Sequence, residues 1–160
     1  MDPLKAPRIE QARPTDPVAA SVLAAHLAES DGVTAQESNH TLDATALESP
    51  DIRLWLARDG DGAVLGCAAL KALPGGMAEI KSVHVLARGR RRGVARAMMA
   101  HLVALAHAEA LSALVLETGS MDHYAPARVL YQSLRFRTCG PIPGYGADPQ
   151  STFMRLDLPA

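Results

Sequence analysis

The stretch Arg88 to Met99, RGRRRGVARAMM, puts five arginines into nine residues and then runs straight into apolar side chains. Positive charge concentrated in this way has three physical uses: a patch for nucleic acid, a solvated helix start, or a cradle for a phosphorylated cofactor. A helix N-terminus points unbonded N–H groups and the positive end of its dipole outward. Gly93 and the small Ala95 let an anion approach that backbone closely. A phosphate-loop NTPase uses the same physics but ends in Gly-Lys-Ser/Thr, and a dinucleotide fold needs Gly-x-Gly-x-x-Gly after a first parallel strand. Neither pattern is present. The stretch fits a pyrophosphate held by main-chain amides with arginines around it.

The bulk numbers weigh against the nucleic-acid use. The chain has 160 residues, about one domain, with 16 basic and 17 acidic residues and a formal net charge of −1. A nucleic-acid binder is usually basic overall or across a face, whereas here the basic charge is local. Two phenylalanines and one tryptophan leave little for base stacking. Cys67 and Cys139 match no metal or redox spacing, and no His has a metal-ligand partner at usable spacing, so no metal is expected. The opening MDPLKAPRIEQ holds no apolar run and no stretch approaches membrane-spanning length. The expectation is a cytoplasmic protein of one domain over residues 1–160, without membrane or nucleic acid as partner.

The elements that must position the arginines follow from periodicity. Arg8 to Arg13 reads as a short first strand. Thr15-Asp16-Pro17 caps a helix over Val18 to Ala28, and a shorter helix fits around Leu42 to Leu47. Strands over Ile52–Arg58 and Val64–Leu73 flank the turn Asp59 to Gly62, and Gly75-Gly76 turns the chain into a third strand, Ala78 to Leu86. Period two puts Glu79, Lys81, Val83 and Val85 on one face of that strand and Ile80, Ser82, His84 and Leu86 on the other. From Arg92 to Ala110, Val94, Met98, Leu102 and Leu105 recur at helical spacing. Leu111–Glu117 is an apolar strand, Pro126 opens a helix to about Leu134, and Phe136–Cys139 and Thr152–Leu158 close the chain. A meander followed by a crossover helix predicts an α+β sandwich: a mixed, mostly antiparallel sheet with helices on both faces, strands 78–86 and 111–117 parallel and neighbouring.

Arg90-Arg91-Arg92-Gly93-Val94-Ala95 resembles the Arg/Gln-x-x-Gly-x-Gly/Ala signature of the GNAT N-acetyltransferases, and the order of elements resembles theirs from end to end. Ala127-Arg128-Val129-Leu130-Tyr131 with Leu134-Arg135-Phe136 is similar to the family's Ala-x-x-Leu-Tyr and Leu-Gly-Phe, with Arg135 in place of the common glycine. A narrower resemblance is to small bacterial acetyltransferases, carried by Ser38-Asn39-His40-Thr41-Leu42-Asp43, Ala69-Leu70-Lys71, Leu116-Glu117-Thr118-Gly119, Tyr145 and Asp148 to Met154.

The resemblance implies an acetyl-CoA-dependent N-acetyltransferase acting on a small-molecule amine by direct attack in a ternary complex. It implies that the amides of the Gly93-Val94-Ala95 turn, with Arg90, Arg91 and Arg92, take the pyrophosphate of acetyl-CoA. Val83, Val85 and Ala127 would line the pantetheine arm, with the Val85 N–H facing the thioester oxygen. Glu79 resembles in position the general base of several family members, and Tyr131 the acid for the thiolate. A strand glutamate paired with Lys81 or Lys71, and a tyrosine that only packs, are the plainer readings of those two residues. His40, Lys71 and Tyr145 would line the acceptor site. His84 could serve as a second base, but alternation turns it away from Glu79. His101 and His107 read as ordinary surface positions, His26 and His123 carry no motif, and Arg88 and Arg96 read as solvated or helix-face residues. Dimerisation is common in the family. A CoA-binding regulatory module without catalysis and a nucleic-acid binder are the other classes kept open.

Overall fold

The structure, a computed structural model, describes residues 6–33 and 47–159, the side chains of 30–33 excepted. His40 and most of the helix expected around Leu42 to Leu47 lie outside the described residues. Seven strands form one sheet: β1 (Arg8–Ala12), β2 (Ile52–Arg58), β3 (Val64–Leu73), β4 (Met77–Val85), β5 (Ala113–Gly119), β6 (Arg137–Cys139) and β7 (Ser151–Asp157). Their spatial order is β1-β2-β3-β4-β5-β7-β6. Only β4 and β5 pair in parallel; every other neighbouring pair is antiparallel. This is the mixed, mostly antiparallel sheet the pattern of elements predicts.

Three helices cover the sheet among the described residues. α1 (Pro17–Val33) runs longer than the alanine-rich core of its sequence. Its Ala19, Val22 and Leu23 pack on Leu54, Leu56, Val64 and Cys67 on one face. α2 (Val94–Ala108) and α3 (Ala125–Ser133) cover the other, where Met98, Met99 and Leu102 meet Leu70, Ile80 and Leu114. β3 is buried over seven successive residues because both of its faces are covered, which is why it reads as an unbroken apolar run rather than an alternating one. The turn between β2 and β3 is set by Asp59, whose Oδ1 accepts from the N–H groups of Asp61 at 2.9 Å and Ala63 at 3.0 Å.

The end of α3 explains the glycine that the family motif has and this chain lacks. The Phe136 N–H donates to the Tyr131 carbonyl at 3.0 Å and the Arg135 N–H to the Gln132 carbonyl at 3.0 Å. That pair of hydrogen bonds is a Schellman ending, which needs a left-handed residue after the cap, and Arg135 adopts it with φ 75°. A side chain there costs about 1–2 kcal/mol relative to right-handed backbone. Arg135→Gly is therefore expected to raise stability by up to about 1 kcal/mol, net of glycine's greater freedom when unfolded. Urea unfolding of the two proteins checks it.

Candidate functional site

β4 does not keep a strict alternation. Gly66 pairs with Val85 and Cys67 with His84, but Ala69 pairs with Lys81, so β4 carries an extra residue opposite Ala68. The bulge lies at Ser82, whose φ is 55°. One extra residue reverses the faces beyond it. Glu79, Lys81 and His84 therefore share the α1 face, paired across from Lys71, Ala69 and Cys67. Val83 and Val85 instead join Ile80 on the α2 face, packed on the core there. The expectation that His84 points away from Glu79 is thus reversed. Gly66 makes room for the bulge: a Cβ on it would lie 2.4 Å from the His84 carbonyl oxygen.

The bulge coincides with a gap in the sheet. β4 and β5 pair only through Met77–Ile80 and Ala113–Leu116, although β4 continues to Val85 and β5 to Gly119. Leu86 N–H donates to Leu65 on β3 at 2.8 Å, so by alternation the Val85 amide faces the opposite edge, toward the gap. Bulges increase twist and bend a strand, and the two strands separate from Lys81 onward.

At the mouth of this gap the chain makes a one-turn 3-10 helix, Ala87–Gly89, and then the α2 N-terminus. Gly93 is the N-cap in left-handed conformation, φ 73°, and the cap has no side-chain hydrogen bond. Arg91 is also left-handed, φ 62°. The first turn of α2 carries no acidic residue, so nothing in it neutralises the positive end of the helix. Two arginines have structural work. Arg88 Nε donates to the Val64 carbonyl at 2.7 Å, and Arg96 Nη2 to Ser133 Oγ at 2.9 Å. Arg88 is thus more than a solvated residue, while Arg96 is an exposed residue of the helix face. Arg92 Nη1 donates to the Arg88 carbonyl at 2.9 Å, and Arg90 Nη2 lies 3.7 Å from Glu29 of α1. The uncapped amides, the ring of arginines and the adjoining open strand edge fit a long anionic thiol ester with a pyrophosphate.

The family model described as Acetyltransferase (GNAT) family matches residues 21–136. The chain belongs to this family. It is 43% identical over 122 residues to the uncharacterized N-acetyltransferase YsnE of Bacillus subtilis (strain 168), covering 76% of this chain and 80% of that one. It is 40% identical over 124 residues to the IAA acetyltransferase of Azospirillum brasilense, covering 76% and 78%. The fold is similar to that of an acyl-CoA N-acyltransferase from Klebsiella pneumoniae subsp. pneumoniae MGH 78578, with a TM-score of 0.78 and 26% identity over 95% of this chain and 97% of that chain. The protein is an acetyltransferase, and acetyl-CoA is its acetyl donor.

On the α1 face of the acetyltransferase, Glu79 is 2% exposed. Its Oε2 accepts from Lys81 Nζ at 3.0 Å and from Tyr145 OH at 2.6 Å, and Lys81 Nζ also donates to Tyr145 OH at 2.7 Å. Of the two lysines open as partners, Lys81 makes the ion pair, while Lys71 is only Glu79's cross-strand neighbour. Burial first, and then the Glu79 carboxylate, raises the Tyr145 hydroxyl well above its usual range.

Beside this triangle stands a residue the sequence reading named only within a motif. Glu117 of β5 lies one residue past the last β4–β5 pair and on the same face as Glu79, since Glu79 pairs with Val115 and side chains alternate. Burial lifts its carboxyl from the ordinary 4.5 to about 7. Glu79 and Asp148 add to the rise, while Ser151 and Lys81 oppose it. Ser151 Oγ is buried beside the Glu117 carboxyl. Nothing in composition or period marks Glu117, because its neighbours come from β4, β7 and the loop before β7.

Tyr131 approaches from the other face. It is 6% exposed, its ring 6.1 Å from that of Phe136, and burial and the Glu117 charge push its hydroxyl to about 12. Arg128, three residues earlier on α3, donates to the carbonyls of Gly119 at 2.6 Å and Met121 at 3.0 Å. That ties the helix to the end of β5. Ala127 is packed against the same core.

The histidines behave differently from their sequence reading. His26 and His84 meet Nδ1 to Nδ1 at 3.2 Å, and Glu29 lies 3.5 Å from His84 and 2.9 Å from His123. Burial lowers His26 to about 4 and also lowers His84, with Glu29 opposing. His101 sits half-buried with its ring 6.0 Å from that of Trp55, not on the open surface; His107 is exposed. No group of three His, Cys, Asp or Glu among the described residues could hold a metal ion. No helix among them is long and apolar enough to cross a membrane.

Removing one member of a buried pair leaves an uncompensated charge, at a cost of about 3–5 kcal/mol. Lys81→Met is expected to destabilise the protein by about that much, and adding Glu79→Gln should recover most of the loss. Chemical denaturation of the single and double variants tests both. Glu117 predicts the opposite pH behaviour to an ordinary ion-paired carboxylate. Its folded-state value lies above its unfolded one, so its contribution falls as pH climbs from about 4.5 to about 7. Glu117→Gln should melt at a higher temperature than wild type at pH 8 and level with it at pH 4.

Proposed function

We propose that the protein transfers the acetyl group of acetyl-CoA to the amine of a small-molecule acceptor, by direct attack in a ternary complex formed by a single domain over residues 1–160. The observation that carries this reading is the β4–β5 gap opening directly beside the uncapped, arginine-ringed start of α2. The amides of Gly93, Val94 and Ala95, with Arg90, Arg91 and Arg92, would hold the pyrophosphate. The open edge of β4 at Val83 and Val85 would pair with the pantetheine amides as a strand would, with Ala127 of α3 on the far side. Acetyl-CoA supplies the activated carbonyl. The Val85 N–H, fixed by the strand, would stabilise charge developing on its oxygen without reorganising.

In this reading Tyr131 keeps its proton in the resting enzyme, because burial raises its hydroxyl, and holds it for the departing thiolate. The acceptor would enter over the α1 face, bounded by Lys71 and Tyr145, and the family resemblance adds His40 as a candidate contact. That face carries Glu29, Glu79, Glu117 and Asp148 against Lys71, Lys81 and Arg90, a small acidic excess that suits a cationic group. IAA belongs among the acceptors to screen because a relative is named for it. A cytoplasmic enzyme and a homodimer complete the reading.

Calorimetric titration with acetyl-CoA is the first test, with Gly93→Asp as the control. The variant puts a carboxylate where the pyrophosphate would lie, and a loss of at least about tenfold in affinity is expected. Micromolar binding by wild type that Gly93→Asp leaves unchanged would sink the assignment of the loop. Tyr131→Phe should keep acetyl-CoA binding and lower kcat by about 10²-fold.

A further inference from the structure

Glu79 occupies the position that the family resemblance assigns to the base, yet its chemistry in this chain is committed elsewhere. It is buried, its Oε2 accepts from both Lys81 and Tyr145, and those two donors also bond to each other. A proton arriving on Glu79 would leave the Lys81 ammonium, whose side chain is 9% exposed, without its carboxylate.

Glu117 is in the opposite situation. It forms no ion pair among the described residues and lies on the acceptor face where β5 has just parted from β4. From β4 it faces Glu79 and Lys81, and from the loop before β7 it faces Asp148. From β7 the buried hydroxyl of Ser151 lies beside its carboxyl and opposes the rise of its pKa. From α3 it is within electrostatic reach of Tyr131, which packs against the opposite face of the sheet. Glu117 therefore stands between the acceptor side and the residue assigned to the thiolate.

We propose that Glu117, not Glu79, accepts the proton of the acceptor's ammonium, and that Glu79 serves as the fixed carboxylate that positions Lys81 and Tyr145 beside it. This rests on the acetyl-transfer reading above. The step balances as follows. The ammonium gives one proton to the Glu117 carboxylate. The freed amine nitrogen bonds to the acetyl carbon, and the carbon–sulfur bond breaks. The thiolate takes the Tyr131 hydroxyl proton, and the second nitrogen proton restores Tyr131. Glu117 then passes its proton to water, leaving one amide, one thiol and one released proton. A carboxyl that titrates near the working pH suits this exchange in both directions.

The test uses the full chain and two readouts. In the first, protein carrying carbon-13 at glutamate Cδ is titrated by NMR, and the Glu117 resonance is identified by its absence in Glu117→Gln. A midpoint near 7 is expected, and one near 4.5 overturns the proposal. In the second, CoA release from acetyl-CoA is followed with a panel of primary amines and IAA, against pH. Wild type is expected to gain kcat/KM as pH rises through 7. Glu117→Gln should bind acetyl-CoA normally and lose about 10²-fold or more in rate together with that rise, while Glu117→Asp recovers part of it. A Glu117→Gln rate within threefold of wild type overturns the proposal and leaves the acetyl-transfer reading standing. Binding of acetyl-CoA without release to any acceptor by wild type overturns that reading, and the base with it.

Discussion

The separation of β4 from β5 is the constraint on which the rest of the molecule depends. A sheet whose central strands stay paired has no room for a ligand and no unused amides to offer one. Here pairing ends at Ile80 and Leu116, and both strands continue because their outer neighbours, β3 and β7, still hold them. The bulge at Ser82 makes this compatible with a packed interior. It turns β4 away from β5 and at the same time exchanges the faces of the residues beyond it, so that Val83 and Val85 fill the α2 side while His84 joins Glu79 and Lys81. Gly66 is the complementary feature on β3, since no side chain fits against the His84 carbonyl there.

The same gap organises the electrostatics. Burying charge in a sheet is expensive unless it is paired and hydrogen-bonded, and the triangle of Glu79, Lys81 and Tyr145 meets that condition within itself. Among the described residues Glu117 forms no ion pair. The cost of its burial is expressed as a raised affinity for protons rather than as an ion pair, and the Tyr131 hydroxyl responds in the same direction. Two neighbouring carboxylates thus take different characters from their surroundings: one locked in a network, one free to exchange a proton. On the other flank, Glu29 connects α1 to the end of β4, to the arginine loop through Arg90 and to the turn after β5 through His123. The first helix is thereby held across the mouth of the gap.

Much of this could be read from the chain alone, for reasons that are local. The helix over Val94 to Ala108 shows as a 3.6-residue apolar period, the hairpin as two apolar runs around Asp59 to Gly62, and the anion site as Gly93 following a knot of arginines. These signals depend on residues a few positions apart, and the parallel pairing of β4 with β5 follows from them by the rules that govern crossovers.

What the tertiary structure alone decided lies wherever a contact spans the chain. Period two assigned His84 to the wrong face because a bulge is a property of two strands, not one. The choice between Lys71 and Lys81 as the partner of Glu79 was settled by Tyr145, which comes from a loop 66 residues away in sequence. His26 and His123 carry no motif, yet α1, β4 and the turn after β5 gather them with His84 around Glu29. Glu117 was visible in the sequence as one letter of a strand-end motif. Its character as a proton-exchanging carboxyl comes from burial among groups of β4, β7, α3 and the loop before β7, and burial is a sum over the whole fold that no spacing within a strand records.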